Sequence, residues 1–350
     1  MDLKADIKTD IKEKIKTDPK ADLRTDLGTD WETDADGQGN YCRLTIFTPV
    51  YNRAHCIGRC YESMLRQKNQ NFVWIIVDDG SEDHLEDVVR PWLELAEDCA
   101  SFRFSRFRIE FYQKENGGLN TAYNLALSHV KTDYWVCIDS DDWLADDAVE
   151  TIYRAIRRSE SRQMKISGFV GLDAEPDGTV CGGRFPRVRT ASLMDLKFRY
   201  KHKGDFKVVY RTAAAAPFLP IPEVKGEKNF NPYYMMLQMD REAPLLILDH
   251  VLCIVDYQPD GMSARIFEQY EESPVSFGML RLQYLQMPGI PWWFRYRQCI
   301  HYVSSWLFAV KQRKKGLRAP FFSMGMILAL APGFLLHFYI RLRNRFFGRR

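Results

Sequence analysis

Three aspartates follow a short apolar run near the middle of the chain. The run at 134–138 reads Tyr-Trp-Val-Cys-Ile, and Asp139, Asp141 and Asp142 come directly after it, interrupted only by a serine. A short apolar run with a polar boundary is typical of a buried strand in a parallel sheet, and open α/β sheets bind ligands at the carboxyl ends of such strands. In an extended segment Asp139 and Asp141 would point to the same side, and two like charges held close together favour a bound cation.

The chemistry that two such carboxylates favour is metal binding. Oxygen ligands suit Mg²⁺ or Mn²⁺, and substrate phosphates commonly complete the coordination of such an ion. The spacing of Asp139 and Asp141 therefore predicts a metal–diphosphate site at a strand end. The alternative interpretation is a solvated acidic turn that caps the next helix.

The segments around this cluster predict strands that alternate with helices. The strands are predicted at 44–47, 72–77, 109–112 and 134–138, with helical spacing of apolar residues at 57–65 and 119–130. This alternation is typical of an α/β fold with a parallel, doubly wound sheet flanked by helices.

Polar residues that could bind a ligand also follow the other predicted strands. The three segments are 48–52 (Thr-Pro-Val-Tyr-Asn), 78–81 (Asp-Asp-Gly-Ser) and 115–118 (Glu-Asn-Gly-Gly). Because Pro49 has no N–H for a central ladder, we expect the first strand to end there and a loop to begin. The repetition of polar strand ends favours the ligand site over the solvated turn.

Taken in order, these motifs resemble those of the family 2 glycosyltransferases, which have the Rossmann-like GT-A nucleotide-binding fold with a mostly parallel sheet. The resemblance covers about 41–260. It implies transfer of a sugar from a nucleotide-sugar, usually a UDP-sugar, with inversion at the anomeric carbon.

The same resemblance implies roles for individual residues. The loop with Thr48, Pro49, Tyr51 and Asn52 would line the nucleotide, and Asp79 would pair with its base. Asn116 and Gly117 would lie near the nucleotide, Asp139 would face the ribose or the metal, and Asp141 would bind the metal on the diphosphate. A carboxylate such as Asp79 can accept a hydrogen bond from a uracil imide N–H, and glycine allows close approach of a backbone.

An inverting transfer needs a general base for the acceptor hydroxyl. In many family members this base is the Asp of a Glu-Asp pair, but here the corresponding residues are Glu227 and Lys228. We therefore take Glu227 as the first candidate for the base and Asp205 as the second. For each, the alternative is a surface salt-bridge or turn residue.

Composition places further limits on the protein. Residues 2–37 form a polar repeat of period four with one apolar residue per repeat, which predicts a disordered tail over 1–40. Because the N-terminus is hydrophilic, we expect no secretory signal. The eight cysteines contain no Cys-x-x-Cys pair, so we expect buried thiols in a reducing cytosol and no zinc site.

The C-terminal region has a different composition. Residues 311–350 contain ten Lys and Arg but no Asp or Glu, and 320–340 carry no formal charge. The length of this apolar stretch permits a membrane span, but Pro332-Gly333 interrupts it and both flanks are basic. We favour a re-entrant or in-plane hydrophobic helix pair on an anionic leaflet; a spanning helix and a packing helix are the alternatives. No recognition motif for nucleic acid accompanies the basic residues.

The residues and the family resemblance together imply a metal-dependent inverting glycosyltransferase on the cytoplasmic face of a bacterial membrane, acting on a glycan or a lipid-linked oligosaccharide in the synthesis of a cell-surface polysaccharide. The expected organisation is a tail (1–40), a GT-A domain (41–262), a helical extension (263–318) and a membrane-associating segment (319–350). The alternatives are a non-catalytic binding subunit that resembles a glycosyltransferase and, less in keeping with the residues, a Rossmann dehydrogenase. The first strand lacks the Gly-x-Gly-x-x-Gly motif of the dehydrogenases.

Overall fold

The computed structural model describes residues 42–100, 107–256 and 265–347. Strands and helices alternate through the first half of the chain. The strands are β1 (Leu44–Val50), β2 (Val73–Asp78), β3 (Arg108–Gln113), β4 (Tyr134–Cys137), β5 (Trp143–Leu144), β6 (Gly168–Ala174), β7 (Thr190–Ala191), β8 (Phe206–Arg211) and β9 (Leu245–Ile254). The strands predicted around 44–47, 72–77, 109–112 and 134–138 are all present.

Helices dominate the C-terminal part. The helices are α1 (Ile57–Arg66), α2 (Leu85–Ala100), α3 (Leu119–His129), α4 (Ala148–Ser161), α5 (Thr212–Ala215), α6 (Tyr233–Glu242), α7 (Ile266–Glu272), α8 (Pro274–Gln286), α9 (Trp292–Lys311), α10 (Met324–Leu328) and α11 (Leu330–Phe347). A π-helix (Asp195–Arg199) and a 3₁₀ turn (Ala216–Phe218) complete the regular elements of the described residues.

In the described part of the chain the strands form one sheet in the order β3-β2-β1-β4-β8-β6-β9-β5, with β7 beside β9. The first four strands are parallel, as the sequence predicts. The prediction of a mostly parallel sheet is wrong for the second half, which is mixed: β8 runs antiparallel to both β4 and β6. A parallel neighbour needs a long crossover, usually a helix. The only helical element within residues 175–205, all of which the structure describes, is the short π-helix Asp195–Arg199, which is not a crossover helix, and β8 returns antiparallel to β6.

The end of β1 also differs from the prediction. Pro49 lies inside the strand, opposite Val77 of β2. Pairing between β1 and β4 stops earlier, at Phe47 opposite Cys137, so the last residues of β1 pair with β2 alone. A proline is tolerated where a strand has become an edge, which explains why Pro49 does not end the strand.

Both faces of the sheet are covered. Leu44 and Ile46 of β1 pack into one core with α1 and α4, while Phe47 packs into a second core with α3 and α6. Every residue of β1 is buried. Burial on both faces explains why the central strands are continuous apolar runs instead of alternating patterns.

The C-terminal helices form a layer beside the second core. Phe294 at the start of α9 is part of that core, and α9 packs along α8 and α11. Gly333 lets α11 approach α9 closely, because a Cβ there would come within 2.5 Å of the Val303 Cβ. Within the described ranges, no helix combines the length and apolar character that crossing a membrane requires.

Some predictions concern residues that the structure does not describe. The disordered tail predicted for 1–40 and the boundary predicted at 262 both lie outside the described residues. Cys42 is free and half-buried, and six further free cysteines are buried: Cys56, Cys60, Cys137, Cys181, Cys253 and Cys299.

Candidate functional site

The polar strand ends meet at one edge of the sheet. β1 lies between β2 and β4, and the three strands are parallel, so their carboxyl ends are neighbours. The amino end of β8 reaches the same edge, because β8 runs antiparallel to β4. The topology thus gathers the 51–52 loop, Asp79, the 139–142 segment and Asp205, and we call this the strand-end site.

The acidic cluster forms a turn and is not extended. Asp142 N–H donates to the Asp139 carbonyl at 3.0 Å, and β4 has already ended at Cys137. Asp139 is exposed, Asp141 is half-buried and Asp142 is buried. Burial, together with the negative charge of Asp139, raises the pKa of Asp141. The two carboxylates are therefore close enough for their charges to interact, as the metal hypothesis requires.

The third aspartate of the cluster is engaged elsewhere. Lys207 Nζ lies 3.4 Å from Asp142 Oδ2, and Asp142 Oδ1 accepts a hydrogen bond from Asp256 N–H. Burial raises the pKa of Asp142 to about 7, although Lys207 opposes this shift. Burial alone would lower the pKa of Lys207, but the surrounding acidic groups, Asp173 among them, raise it well above its ordinary value. Lys207 is thus a counter-ion inside the strand-end site.

Asp79 organises the turn before α3. Its Oδ1 accepts hydrogen bonds from Lys114 Nζ at 2.6 Å and from Gly117 N–H at 3.0 Å, and its Oδ2 accepts one from Gly118 N–H at 2.8 Å. A carboxylate has about four acceptor positions, so Oδ2 can still accept a further donor. Gly118 has φ +96°, and a Cβ there would lie 1.9 Å from the Lys228 carbonyl oxygen. Only glycine fits at this position.

The last residues of β1 and the two that follow it divide between the core and the site. Thr48 is buried, and its Oγ1 accepts a hydrogen bond from Trp74 Nε1, so the structure does not place its side chain at the nucleotide loop. Pro49 is part of β1, whereas Tyr51 is exposed at the edge. Asn52, at φ +52°, donates its N–H to Ser81 and accepts from Glu82 N–H, which fixes the loop against the end of β2.

A segment from the second half of the chain reaches the same edge. Asn124 on α3 holds Ile221 by two hydrogen bonds, of 2.9 and 2.8 Å, through its amide nitrogen and oxygen. The chain then continues to Lys228, which is exposed and whose backbone lies against Gly118. Asn116, on the other side of this turn, is half-buried, with its backbone against Gly80. The 221–228 segment is therefore anchored beside the turn that Asp79 organises.

Glu227, the first candidate for the general base, has the surroundings of a structural carboxylate. Its side chain is 0% exposed. Its Oε1 accepts from Val275 N–H and Lys314 Nζ, and its Oε2 accepts from the N–H and the hydroxyl of Ser276. It thus caps the N-terminus of α8 and is closed off from an acceptor hydroxyl. This corrects the expectation that Glu227 is free to act as the base, and we do not carry that role forward.

Asp205, the second candidate, lies at the strand-end site. It is exposed and directly precedes β8, whose pairing with β6 begins at Phe206 opposite Leu172. Its charge helps to raise the pKa of Asp173, which burial raises to about 6. Asp205 therefore shares an edge with Asp139 and Asp141 and remains open to solvent.

This arrangement can be compared with known proteins. A family model described as Glycosyl transferase family 2 matches residues 45–170, which span β1 to β6 and contain Asp79 and the acidic cluster. This chain contains a family 2 glycosyltransferase domain.

Curated relatives match the same part of the chain. Glycosyltransferase GlyA of Streptococcus pneumoniae is 32% identical over 33% of this chain and 15% of its own length. GlyG of the same organism is 29% identical over 39% of this chain and 41% of its own length. The teichoic acid poly(glycerol phosphate) polymerase of Staphylococcus epidermidis is 35% identical over 36% of this chain and 16% of that protein. The matches thus span less than half of each relative.

Solved structures share the fold. TarS 1–349 from S. aureus in complex with UDP has a TM-score of 0.54 at 13% identity, covering 87% of this chain and 91% of that one. The complex of TarS 1–349 with UDP-GlcNAc has a TM-score of 0.52 at 16% identity, covering 77% and 73% of the two chains. At this identity the likeness concerns the fold, and the family 2 domain here has the same GT-A-like architecture.

The carboxylates at the strand-end site can hold a divalent metal ion only if the substrate supplies further ligands. Among the described residues, no group of three His, Cys, Asp or Glu side chains could hold a metal ion. With Asp142 paired to Lys207, Asp139 and Asp141 remain as oxygen donors. Mg²⁺ is commonly held by one or two carboxylates together with substrate phosphates and water, so two carboxylates suffice for an ion that arrives with a diphosphate.

Two residues of the strand-end site are absent from the sequence-based prediction. Lys114 directly follows β3, next to the Glu-Asn-Gly-Gly motif, and its position at a strand end was an available signal. Lys207 lies within β8 with no motif around it. Its role depends on the antiparallel placement of β8 beside β4, which local sequence does not reveal.

Proposed function

We propose that this chain transfers a sugar from a nucleotide-sugar donor to a hydroxyl group of an acceptor in the synthesis of a cell-surface polysaccharide. One observation carries the proposal: the carboxyl ends of β2 and β4, on either side of β1, bring Asp79 and the Asp139–Asp141 pair to one edge, inside the segment that matches the glycosyltransferase family. That edge is where open α/β sheets bind ligands.

A UDP-sugar suits the donor part of the site. Asp79 Oδ2 has an acceptor position left for an imide N–H, and Asn52 and Tyr51 lie at the same edge. TarS, which shares the fold, was solved with UDP and with UDP-GlcNAc. Asn116 and Gly117 belong to the turn that Asp79 holds, and would lie near the nucleotide.

Asp139 and Asp141 would hold a Mn²⁺ or Mg²⁺ ion together with the donor diphosphate. When bound, such an ion would neutralise charge on the leaving diphosphate. Lys207 pairs with Asp142 and compensates part of the local negative charge. An uncompensated cluster of carboxylates would repel a diphosphate in the absence of a cation.

Asp205 is the residue that we propose as the general base. It is exposed at the edge that carries the donor carboxylates. It would accept the proton of the acceptor hydroxyl while that oxygen attacks the anomeric carbon on the face opposite the leaving diphosphate, which gives inversion. The acceptor would be a glycan or a lipid-linked oligosaccharide. Relatives that match over part of their length include a hyaluronan synthase and a chondroitin synthase of Pasteurella multocida.

A panel of nucleotide-sugars tests the proposal. The purified chain is incubated with UDP-, GDP- and ADP-sugars and Mn²⁺, and both the release of nucleoside diphosphate and the shift in melting temperature are measured. We expect one UDP-sugar to stabilise the protein and to be hydrolysed slowly. Stabilisation without release of UDP from any donor, even with oligosaccharide acceptors added, would favour a non-catalytic binding subunit. The absence of both effects across the panel would contradict the proposal.

A further inference from the structure

The outer surface of the last two helices is apolar. Large side chains of α10 and its approach are exposed, among them Phe321, Met324 and Leu328. On α11, Phe334, Leu335 and Phe338 are exposed as well, with Leu335 at 69%. We call the exposed apolar side chains between 321 and 346 the outer face. Contiguous apolar surface of this kind marks an interaction site, whereas single exposed apolar residues do not.

The polarity of α11 is inverted relative to that of an ordinary surface helix. Gly333 and His337 are buried against α9, where the His337 ring lies 4.0 Å from the Phe308 ring. Asn344 faces α7, and its Nδ2 donates to the Phe267 carbonyl and to Glu271. Apart from the buried Ile340, small and polar side chains thus face the protein while large apolar ones face outward. A helix that only packed on its own domain would have the opposite arrangement.

Unpaired cations flank the outer face. Lys311, Arg313, Lys315 and Arg318 precede it and are exposed. Arg341 and Arg345 lie at its other end and are exposed as well. Among the described residues none of these six forms an ion pair, and the sequence has no Asp or Glu after Glu272. The surface therefore combines apolar side chains with positive charge that the chain itself leaves uncompensated.

We propose that the outer face docks in the plane of a lipid bilayer that carries anionic headgroups. Apolar side chains would enter the boundary between headgroups and acyl chains, while the flanking cations would contact lipid phosphates, as in interfacial amphipathic helices. A second copy of this chain is a poorer occupant. Pairing two outer faces would bring two sets of cations together, and none of the six cations described above has an ion-pair partner of its own. The inference goes beyond the proposed function and does not rest on the donor site.

Vesicle flotation of the full chain tests this inference without any nucleotide-sugar. The probes are vesicles of phosphatidylcholine alone and vesicles of phosphatidylcholine with phosphatidylglycerol. We expect the wild-type chain to float with the anionic vesicles at least tenfold better than with the neutral ones, and this preference to shrink in high salt. Leu335→Gln with Phe338→Gln should lower flotation at least tenfold. Arg341→Gln with Arg345→Gln should remove most of the preference for phosphatidylglycerol.

Matched substitutions elsewhere on the chain provide controls. Leu95→Gln alters another exposed leucine, 51% exposed, on α2, and Arg158→Gln with Arg162→Gln removes two exposed arginines at the end of α4. Both controls should float like the wild type. Sedimentation equilibrium without lipid is measured in parallel. A chain that ignores both vesicle types, or a dimer that Leu335→Gln with Phe338→Gln dissociates, would overturn the proposal.

Discussion

Lys314 Nζ lies 3.0 Å from Glu227 Oε1, which joins the segment before α10 to the loop beside Gly118. The Glu227 side chain is fully buried and that of Lys314 is 21% exposed. Glu227 also caps α8, so one carboxylate connects the glycosyltransferase domain, the helix N-terminus and the approach to the outer face. A charge this deeply buried persists only because all of its neighbours donate to it.

We therefore expect Glu227→Gln to be mainly a stability variant. Replacing the carboxylate removes the charge that the α8 N–H groups and Lys314 need, and the free energy of unfolding should fall by about 3 kcal/mol. Urea unfolding measures this change. The double variant with Lys314→Met should lose less stability than the sum of the two single variants, because both remove the same ion pair.

Asp146→Asn, at the exposed Arg66–Asp146 pair, is the control for Glu227→Gln and should cost less than about 1 kcal/mol. Wild-type stability combined with a hundredfold loss of kcat would instead return Glu227 to the role of base.

Asp205→Asn should act on catalysis. The substitution keeps the size of the side chain but cannot accept a proton, so we expect kcat to fall by about 10²-fold with the Kd for UDP unchanged. Steady-state kinetics with the donor found in the panel measures the effect. Glu175→Gln, another exposed carboxylate, which directly follows β6, is the matched control. A fully active Asp205→Asn enzyme would move the base to another residue.

Removing divalent ions should weaken nucleotide binding through Asp141. In the wild type, EDTA should raise the Kd for UDP at least tenfold, because the diphosphate would then face Asp139 and Asp141 without a cation. In Asp141→Asn the same treatment should change the Kd little, since that variant binds the ion poorly from the start. Calorimetric titration with and without Mn²⁺ measures both values, with Glu242→Gln on α6 as a surface control. Equal sensitivity to EDTA in the wild type and in Asp141→Asn would exclude Asp141 as a metal ligand.

Asp240 should make stability depend on pH. It is buried on α6 and accepts hydrogen bonds from the N–H groups of Leu193 and Met194, and burial raises its pKa to about 6. Because the folded pKa exceeds the ordinary value of 3.8, the folded state holds the proton more tightly, and this stabilisation is lost as the pH rises through 6. Between pH 5 and 7.5, the wild type should lose about 1 kcal/mol of unfolding free energy relative to Asp240→Asn.

Urea unfolding of both proteins at the two pH values provides the comparison for Asp240. Parallel pH dependence in the wild type and in Asp240→Asn would show that Asp240 is ionised in the folded protein at both values.

Local sequence was sufficient to predict the strands of the first half of the fold and the residues that follow them at the strand-end site. Apolar runs ending in polar residues marked β1, β2, β3 and β4, and their parallel pairing placed Asp79 at the same edge of the sheet as the acidic cluster. This worked because each strand end and its ligand-capable residue are adjacent in the chain. Local sequence does not predict that Thr48 accepts a hydrogen bond from Trp74, because that contact depends on how β1 and β2 pack.

The surroundings of a residue cannot be predicted from local sequence when distant segments of the chain supply them. Glu227 receives its donors from α8 and from Lys314, so its burial could not be read from the Glu-Lys pair itself. Lys207 acquires its partner Asp142 only because β8 lies antiparallel beside β4. The inverted polarity of α11 likewise required the contacts of α9 and α7 to show which side faces the protein.

Hydrogen–deuterium exchange with UDP and Mn²⁺ tests the central claim most directly, because it locates the nucleotide without altering a residue. We predict slower amide exchange at 79–81, 115–121 and 138–142 on addition of the ligands, with α9 unchanged. EDTA should reverse the protection at 138–142 first. Saturating binding with no protection at 79–81 and 138–142, or with protection confined to α9 and its neighbours, would contradict the assignment of the strand-end site.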